Sequence, residues 1–169
     1  MLNINDGVVA VHLRQAGSHY SHAVVDLGGV AISVDGDQSE FSALVALDSA
    51  ANIQYGALRR LGLGFEELDN AEDSHKVYKE FQEWVKSYAK PGDPICACNQ
   101  SVVSTFISAK VGIGNVVPWN FVCNALDWAG VVELAPVVPI DTGLAVDTAR
   151  ILARSMARAF LGESVIAHD

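Results

Sequence analysis

The chain has 169 residues, of which 20 are acidic and 11 are Lys or Arg, giving a net charge of −9 at pH 7. This length fits a single domain, residues 1–169. Half of the residues are apolar, so we expect a sizeable core and sufficient apolar surface for homo-oligomer contacts. The acidic balance disfavours nonspecific nucleic-acid binding, which normally needs a basic face.

Neither a membrane span nor a secretion signal is predicted. The sequence contains no uncharged apolar run of about 18 residues. Residues 1–6 lack the basic and apolar regions of a signal peptide. We therefore expect a cytoplasmic protein.

The possible metal-binding side chains do not form a complete site in the sequence. The three cysteines are Cys96, Cys98 and Cys123, and an odd number with two so close together is typical of reduced thiols. The pair His19 and His22 has the spacing of a transition-metal site, but no Cys or carboxylate accompanies it. We expect no bound metal.

The periodicity of apolar residues predicts a series of strands followed by alternating helices and strands. Strands are predicted at 8–13, 22–34, 41–47 and 95–98, with a short one near Phe121. Helices are predicted at 52–61, from Asp73 or Ser74 to about 89, at 101–111, near 124–134, and from Asp141 or Thr142 to about 161. Three consecutive strands with short connections indicate an antiparallel meander, so the class is α/β, with a mixed sheet flanked by helices.

Two stretches near the N-terminus resemble a known enzyme family. The first strand leads into His12-Leu-Arg14-Gln-Ala-Gly17, and the second contains the apolar stretch 24–30. They resemble the first motif, Asp-x-Glu-Thr-x-Gly, and the following strand of the DEDD-type 3′–5′ exonucleases, which include ribonuclease T. The resemblance extends over nearly the whole chain and implies a ribonuclease H-like fold.

The two later motifs of that family have degenerate counterparts here. Cys98-Asn99 through Val103 stands where the family has His-Asn-x-x-Phe-Asp. The stretch from Thr142 to Asp147 stands where the family has His-x-Ala-x-x-Asp. The resemblance also implies that an additional acid of the family is retained as Asp127.

The resemblance implies that most catalytic groups are absent. Such exonucleases hydrolyse phosphodiesters with two divalent ions held by several carboxylates, and a histidine acts as the base. The four carboxylate positions hold His12, Arg14, Val103 and Asp147, and the base position holds Thr142. One carboxylate cannot neutralise two divalent ions, and Arg14 adds a permanent positive charge. We predict that Arg14 forms an ion pair with Asp147 in place of the metal.

Several of these residues have purely structural interpretations. Asp147 is equally typical of a first-turn acid that interacts with the helix dipole, and Thr142 is typical of an N-cap. Asn99 is suited to holding the turn after a strand. Arg150, Arg154 and Arg158 recur every four residues and are suited to binding phosphates, the acidic stretch 66–73 or a partner protein.

Three functional hypotheses follow. The first is a pseudo-nuclease that needs no cofactor and binds a protein partner. Such a protein would regulate or block a nucleic-acid enzyme, a role that suits a small phage protein. The second is an active 3′–5′ exonuclease, with Mg²⁺ or Mn²⁺ held by a rebuilt cluster of Asp26, Asp127, Asp141 and Asp147. The third is a structural oligomer without chemistry.

Overall fold

A computed structural model of the chain describes residues 6–19, 21–98, 100–110, 115–118 and 143–162. These residues form five strands and five helices. In chain order they are β1 (Gly7–Gln15), β2 (Val24–Ser33), β3 (Gln38–Leu44), α1 (Ala57–Arg60), α2 (Phe65–Asp69), α3 (Ser74–Tyr88), β4 (Pro94–Ala97), α4 (Gln100–Lys110), β5 (Asn115–Pro118) and α5 (Ala145–Leu161).

The strands form one mixed sheet in the order β3-β2-β1-β4-β5. β1, β2 and β3 pair antiparallel, whereas β4 pairs parallel with both β1 and β5. The β2–β3 connection is tight because Gly36 adopts a φ of 91°, which glycine tolerates without a steric penalty. The predicted α/β class, with an antiparallel meander followed by alternation, is confirmed.

The central strand β1 is buried on both faces of the sheet. Val9, Val11 and Leu13 belong to a first core, which also contains buried residues of α3 and α4. Val8 and Ala10 belong to a second core formed with α5. Because side chains alternate along a strand, His12 and Arg14 lie on the same side of β1 as the second core.

A third, smaller cluster lies where β1 ends and β2 begins. Its buried members are Ala16, Val25, Leu58 and Leu68. The half-buried residues that pack against it are Leu47, Ile53, Leu61 and Leu63. Helices α1 and α2 each contribute one buried leucine, so this cluster fixes both short helices beside the end of β1.

The structure differs from the prediction at three places in the middle of the chain. The predicted helix 52–61 is reduced to α1, because Gly56 precedes it with a φ of 72° that is incompatible with a right-handed helix. α2 was not predicted. The third strand begins earlier than predicted, at Gln38, whereas α3 is capped by Asp73 as predicted.

The C-terminal elements differ from the prediction at two places. The periodicity did not predict β5. The last helix begins at Ala145 and not at Asp141 or Thr142, since Gly143 has a φ of 82°. The predicted strand near Phe121 and the helix near 124–134 lie outside the described residues. None of the helices described here is long and apolar enough to cross a bilayer.

Candidate functional site at the β1–α5 junction

The N-terminus of α5 lies directly on the sheet at Gly28. A Cβ atom added to Gly28 would collide with the backbone nitrogen of Val146 and the carbonyl carbon of Ala145. Glycine is therefore required for this close approach. Gly28 is also the cross-strand partner of His12, so the first turn of α5 is held beside the strand position that corresponds to the first motif.

A buried ion pair lies beside this junction. Arg14 and Asp26 are directly opposite each other on β1 and β2, and Arg14 Nη1 lies 3.2 Å from Asp26 Oδ2. Their side chains are only 5% and 1% exposed. Arg14 Nη2 also donates a 2.5 Å hydrogen bond to the carbonyl oxygen of Leu61, and the backbone N–H of Ala145 donates to Asp26 Oδ2 at 2.7 Å. The pair thus connects β1, β2, the C-terminal side of α1 and the start of α5.

The environment of Asp26 favours its neutral form relative to an ordinary aspartate. Burial raises the pKa of Asp26, while the hydrogen bond from Ala145 and the hydrogen bond and charge of Arg14 lower it in part. The negative charge of Asp147 raises the pKa of Asp26 further. Asp26 Oδ1 and Arg14 Nε are buried and have no hydrogen-bond partner in the described part of the chain. Desolvation therefore offsets much of the attraction between the two charges.

Asp147 has a different set of partners. Its Oδ2 accepts a 2.9 Å hydrogen bond from the N–H of Leu144, which is the N-cap of α5. Its Oδ1 accepts a 2.8 Å hydrogen bond from Arg150 Nη1. These hydrogen bonds, the backbone one first, lower the pKa of Asp147. The residue is therefore a first-turn acid that closes the helix N-terminus.

The predicted ion pair between Arg14 and Asp147 is wrong. Arg14 pairs with Asp26, because the strand register places these residues opposite each other. Asp147 instead pairs with Arg150, three residues further along α5. An internal ion pair is present near the expected position, but the acid comes from β2.

Arg150 is held by two carboxylates. Its Nε and Nη2 atoms donate to the two carboxylate oxygens of Glu40 on β3, at 2.6 and 2.8 Å. This bidentate contact with Arg150 lowers the pKa of Glu40, and the Arg150 pKa is raised. The acids paired with Arg150 are thus Glu40 and Asp147, and not residues of the stretch 66–73.

The rest of the predicted arginine stripe lies along the same helix. Arg154 and Arg158 are half-buried on α5. The charge of Arg154 lowers the pKa of Glu40 slightly. Because Arg150 already binds Glu40 and Asp147, the stripe does not present three uncommitted guanidinium groups to a phosphate backbone.

Among the other predicted positions that the structure describes, Val103 lies away from the ion pair. His12 is buried on β1. Val103 is buried in the first core, together with Val11 and Leu13, on the face of β1 opposite Arg14. Asn99, Thr142, Asp127 and Asp141 lie outside the described residues, so the predictions of their roles stay predictions, except that Leu144 and not Thr142 is the N-cap of the last helix.

Similarity to solved structures defines the fold. The nuclease domain of 3′hExo, a DEDDh family member solved with bound rAMP, matches with a TM-score of 0.62 and 12% identity over 94% of this chain and 93% of that one. Escherichia coli exonuclease I, solved with a dT13 oligonucleotide, matches with a TM-score of 0.65 and 12% identity over 96% of this chain and 43% of that one. The cell-death related nuclease CRN-4 matches with a TM-score of 0.59 and 15% identity over 90% of this chain and 63% of that one.

The chain has the fold of the 3′-exonucleases. The predicted ribonuclease H-like architecture is therefore confirmed. No family model matches the sequence, and a comparison with curated protein sequences also finds no match. The chain spans 60% of a full-length 3′-exonuclease, and these low identities concern the fold alone.

The described residues at the positions where the sequence resemblance implies metal ligands do not fit a pair of divalent ions. The first motif provides His12 and Arg14, Asp26 is already engaged by Arg14 and a backbone N–H, and Asp147 is engaged by Arg150. A guanidinium at the site repels a cation that needs anionic oxygen ligands. Among the described residues, no group of three or more His, Cys, Asp or Glu is arranged to hold a metal ion.

The histidines and cysteines occupy separate places. His22 Nδ1 accepts a 2.8 Å hydrogen bond from the N–H of His19, and the two rings lie 6.2 Å apart at 89°. Cys96 is buried in the second core, and Cys98 is half-buried beside it. Cys123 lies outside the described residues.

Sequence reasoning missed the roles of Asp26, Gly28 and Leu61. The interpretation of Asp26 was limited to a possible metal ligand. A signal for its pairing was present, because Arg14 directly follows the predicted strand 8–13 and Asp26 is the single acidic or basic charge in the neighbouring predicted strand 22–34. Cross-strand pairing of opposite charges is the usual outcome of such a pattern.

Proposed function

We propose that this protein is a catalytically degenerate exonuclease-fold protein that acts by binding a protein partner. The observation that carries the proposal is the buried ion pair between Arg14 and Asp26. It introduces a fixed cation at the first-motif position, where the exonuclease resemblance implies a metal ligand. The partner would be a nucleic-acid enzyme or a protein that controls one, which this domain blocks, recruits or regulates.

Charge distribution supports a protein partner over a nucleic acid. The chain carries a net charge of −9, which opposes the approach of a phosphate backbone. Arg150 is committed to Glu40 and Asp147. Protein interfaces tolerate an acidic surface when the partner is complementary to it.

An active enzyme with a rebuilt site is the second candidate. Asp147 is near enough to Asp26 for its charge to raise the pKa of Asp26. Two neighbouring acids are a minimal basis for cation binding, and Asp127 and Asp141 would have to complete the set. Such a cation would also have to displace Arg14 and Arg150 from these carboxylates.

A metal-dependent nuclease assay separates the two candidates. The protein is incubated with labelled single-stranded DNA and RNA at increasing Mg²⁺ or Mn²⁺, in parallel with an Asp26→Asn/Asp147→Asn variant. We expect no nucleotide release attributable to the protein and no heat of Mn²⁺ binding. Metal-dependent release that disappears in the variant would overturn the proposal in favour of the active enzyme.

The partner and the oligomeric state require a second measurement. We expect affinity capture from the native cells to yield one stoichiometric protein partner. Light scattering after size exclusion gives the oligomeric state. A stable homo-oligomer that captures no other protein would favour the structural-oligomer hypothesis.

A further inference from the structure

An open groove lies beside the candidate site. It is formed by residues between Ile53 and Phe65, has a volume of about 770 Å³, and is called the 53–65 groove below. Ile53, Leu58 and Leu63 line it and also belong to the third cluster or pack against it. The groove therefore has an apolar floor with room for several apolar side chains.

Two aromatic side chains that line the groove are largely in solvent. Tyr55 is 100% exposed and Phe65 is 63% exposed. Exposed aromatic residues beside an apolar groove are typical of an interaction site, because Tyr and Phe are enriched in interfaces. Neither Tyr55 nor Phe65 belongs to a hydrophobic core of the described residues, so core packing does not account for an aromatic residue at either position.

The groove is also the site of an unusual local positive charge. Arg59 lines it, and Arg60 follows on α1. Within the described residues, neither arginine has a carboxylate within ion-pair distance, whereas ion pairs are formed by Arg14, Lys76, Lys90 and Arg150. Arg59 in the groove and Arg60 next to it on α1, without a carboxylate partner among the described residues, make this part of an acidic chain complementary to carboxylates.

The groove is fixed to the buried ion pair by hydrogen bonds. Arg14 Nη2 donates a hydrogen bond to the carbonyl oxygen of Leu61. Leu61 lies within the segment from Ile53 to Phe65 that forms the groove. The N–H of Gln54 donates to the carbonyl oxygen of Ala16 at 2.7 Å, and its side-chain oxygen accepts from the N–H of Ser18 at 3.0 Å. The groove is therefore a preformed surface, which limits the ordering cost of binding.

We propose that the 53–65 groove binds a short peptide segment of the partner protein that combines large apolar side chains with Asp or Glu. The inference rests on the proposed function, since it names the chemistry of that partner. Apolar side chains enter between Tyr55 and Phe65, and carboxylates pair with Arg59 and Arg60. The buried ion pair then serves to hold the groove, and the former catalytic strand supports a binding surface.

A nucleic acid fits the same groove less well. Aromatic residues with arginines do bind single strands, by stacking and phosphate contacts. A phosphate backbone, however, continues beyond a single contact, and the residues that follow Phe65 are the exposed acids Glu66, Glu67 and Asp69. A peptide needs only one or two carboxylates, which Arg59 and Arg60 can accommodate.

Selection from a library of random short peptides displayed on phage tests the proposal. The intact protein is the bait, and binders are counter-selected on a Tyr55→Ala/Phe65→Ala variant. We expect enrichment of Phe, Leu or Trp together with Asp or Glu. Absence of enrichment, or enrichment of basic sequences, would overturn the proposal.

The affinity of an enriched peptide is then measured by fluorescence anisotropy against charge variants. Arg59→Glu/Arg60→Glu should weaken binding by about thirtyfold, as expected when interface anchors are lost. Lys79→Glu/Lys86→Glu on the exposed face of α3 is the matched control, because it changes the net charge equally but lies on a different helix. An equal loss in both variants, or tighter binding of an oligothymidylate than of the peptide, contradicts a peptide groove.

Failure of the groove proposal can be distinguished from failure of the proposed function. If the captured partner is retained by the Tyr55→Ala/Phe65→Ala variant, the groove assignment is wrong and the partner-binding function stands. If metal-dependent nuclease activity is found while the selected peptide still binds, the groove stands and the degenerate-enzyme proposal is wrong.

Discussion

Arg14 and Asp26 face each other across two antiparallel strands, and both charges are buried beneath the first turn of α5. The pair occupies a position at which the exonuclease resemblance implies metal ligands. Both charges of the pair come from the chain itself. The energetic consequences can be measured residue by residue.

Removing either charge of the pair should destabilise the fold, but with different pH dependence. Asp26→Asn leaves a permanently charged guanidinium buried, at a cost of about 3–5 kcal/mol in the free energy of unfolding. Arg14→Met has a similar cost at neutral pH. Its cost should shrink towards pH 4, because Asp26 has a raised pKa and can bind a proton. Urea denaturation at several pH values measures both effects.

The sign follows from proton binding. In the Arg14→Met variant, the folded state holds the Asp26 proton more tightly than the unfolded chain does. The free energy of unfolding of the variant therefore falls, relative to the wild type, as pH rises from the Asp26 pKa of the unfolded chain to that of the folded variant. The Arg14→Met/Asp26→Asn variant should lose about 1–3 kcal/mol less than the sum of the single losses. Additive losses would mean that the two residues do not interact.

Restoring the acids of the first motif should make folding depend on metal. His12→Asp/Arg14→Glu places two carboxylates beside Asp26 and Asp147, and their repulsion should lower the Tm without metal. Mn²⁺ should raise the Tm of this variant and leave that of the wild type unchanged, since only a folded carboxylate cluster binds it. Thermal unfolding with Mn²⁺ and with EDTA makes the comparison, and identical curves would show that the acids do not converge.

Gly28 should be intolerant of any side chain. Gly28→Ala places a Cβ against the backbone of Ala145 and Val146, so α5 must move and overpacking costs about 1–3 kcal/mol or more. Gly64→Ala is the control, because its Cβ would meet only the flexible Glu67 carboxylate at 3.5 Å. Equal unfolding midpoints for the two variants would refute the close approach of α5 to β2.

The contacts of Arg150 should stabilise the fold modestly and only above acidic pH. Arg150→Gln removes the bidentate contact with Glu40 and the contact with Asp147, for a loss on the order of 0.2–1 kcal/mol, as is usual for exposed ion pairs. The pKa values of Glu40 and Asp147 are lowered in the folded state from 4.5 and 3.8. The wild-type advantage is therefore complete at neutral pH and disappears as pH falls through the lowered values. A difference between the proteins that persists at pH 2 would contradict this assignment.

The sequence was sufficient to predict most strands of the sheet, but not which side chains form ion pairs within the candidate site. Short continuous apolar runs identified β1, β2 and β4, because strands that are buried on both faces carry apolar residues at successive positions. The partner of Arg14 depends on the β1–β2 register, which includes an irregularity between Arg14 and Gln15. No local pattern specifies such a register, since turn geometry and packing set it together.

The helix boundaries also depend on contacts that local sequence patterns do not specify. Thr142 has the expected chemistry of an N-cap, yet α5 begins at Ala145 with Leu144 as its N-cap, and Asp147 provides the hydrogen bond. The region around α1 and α2 forms a groove because its leucines pack on Ala16 and Val25. That contact joins segments more than thirty residues apart and is not encoded by periodicity.

The central position of β1 in the sheet determines how its backbone amides exchange hydrogen with solvent. β1 pairs with β2 on one side and β4 on the other, and its two faces lie against two cores. Amides in such a strand exchange mainly through global unfolding, whereas catalytic and binding loops open by local fluctuation. Mutations in the doubly paired part of β1, around Val9 and Ala10, should therefore alter the lifetime of the whole fold, and the slowest-exchanging amides should lie there.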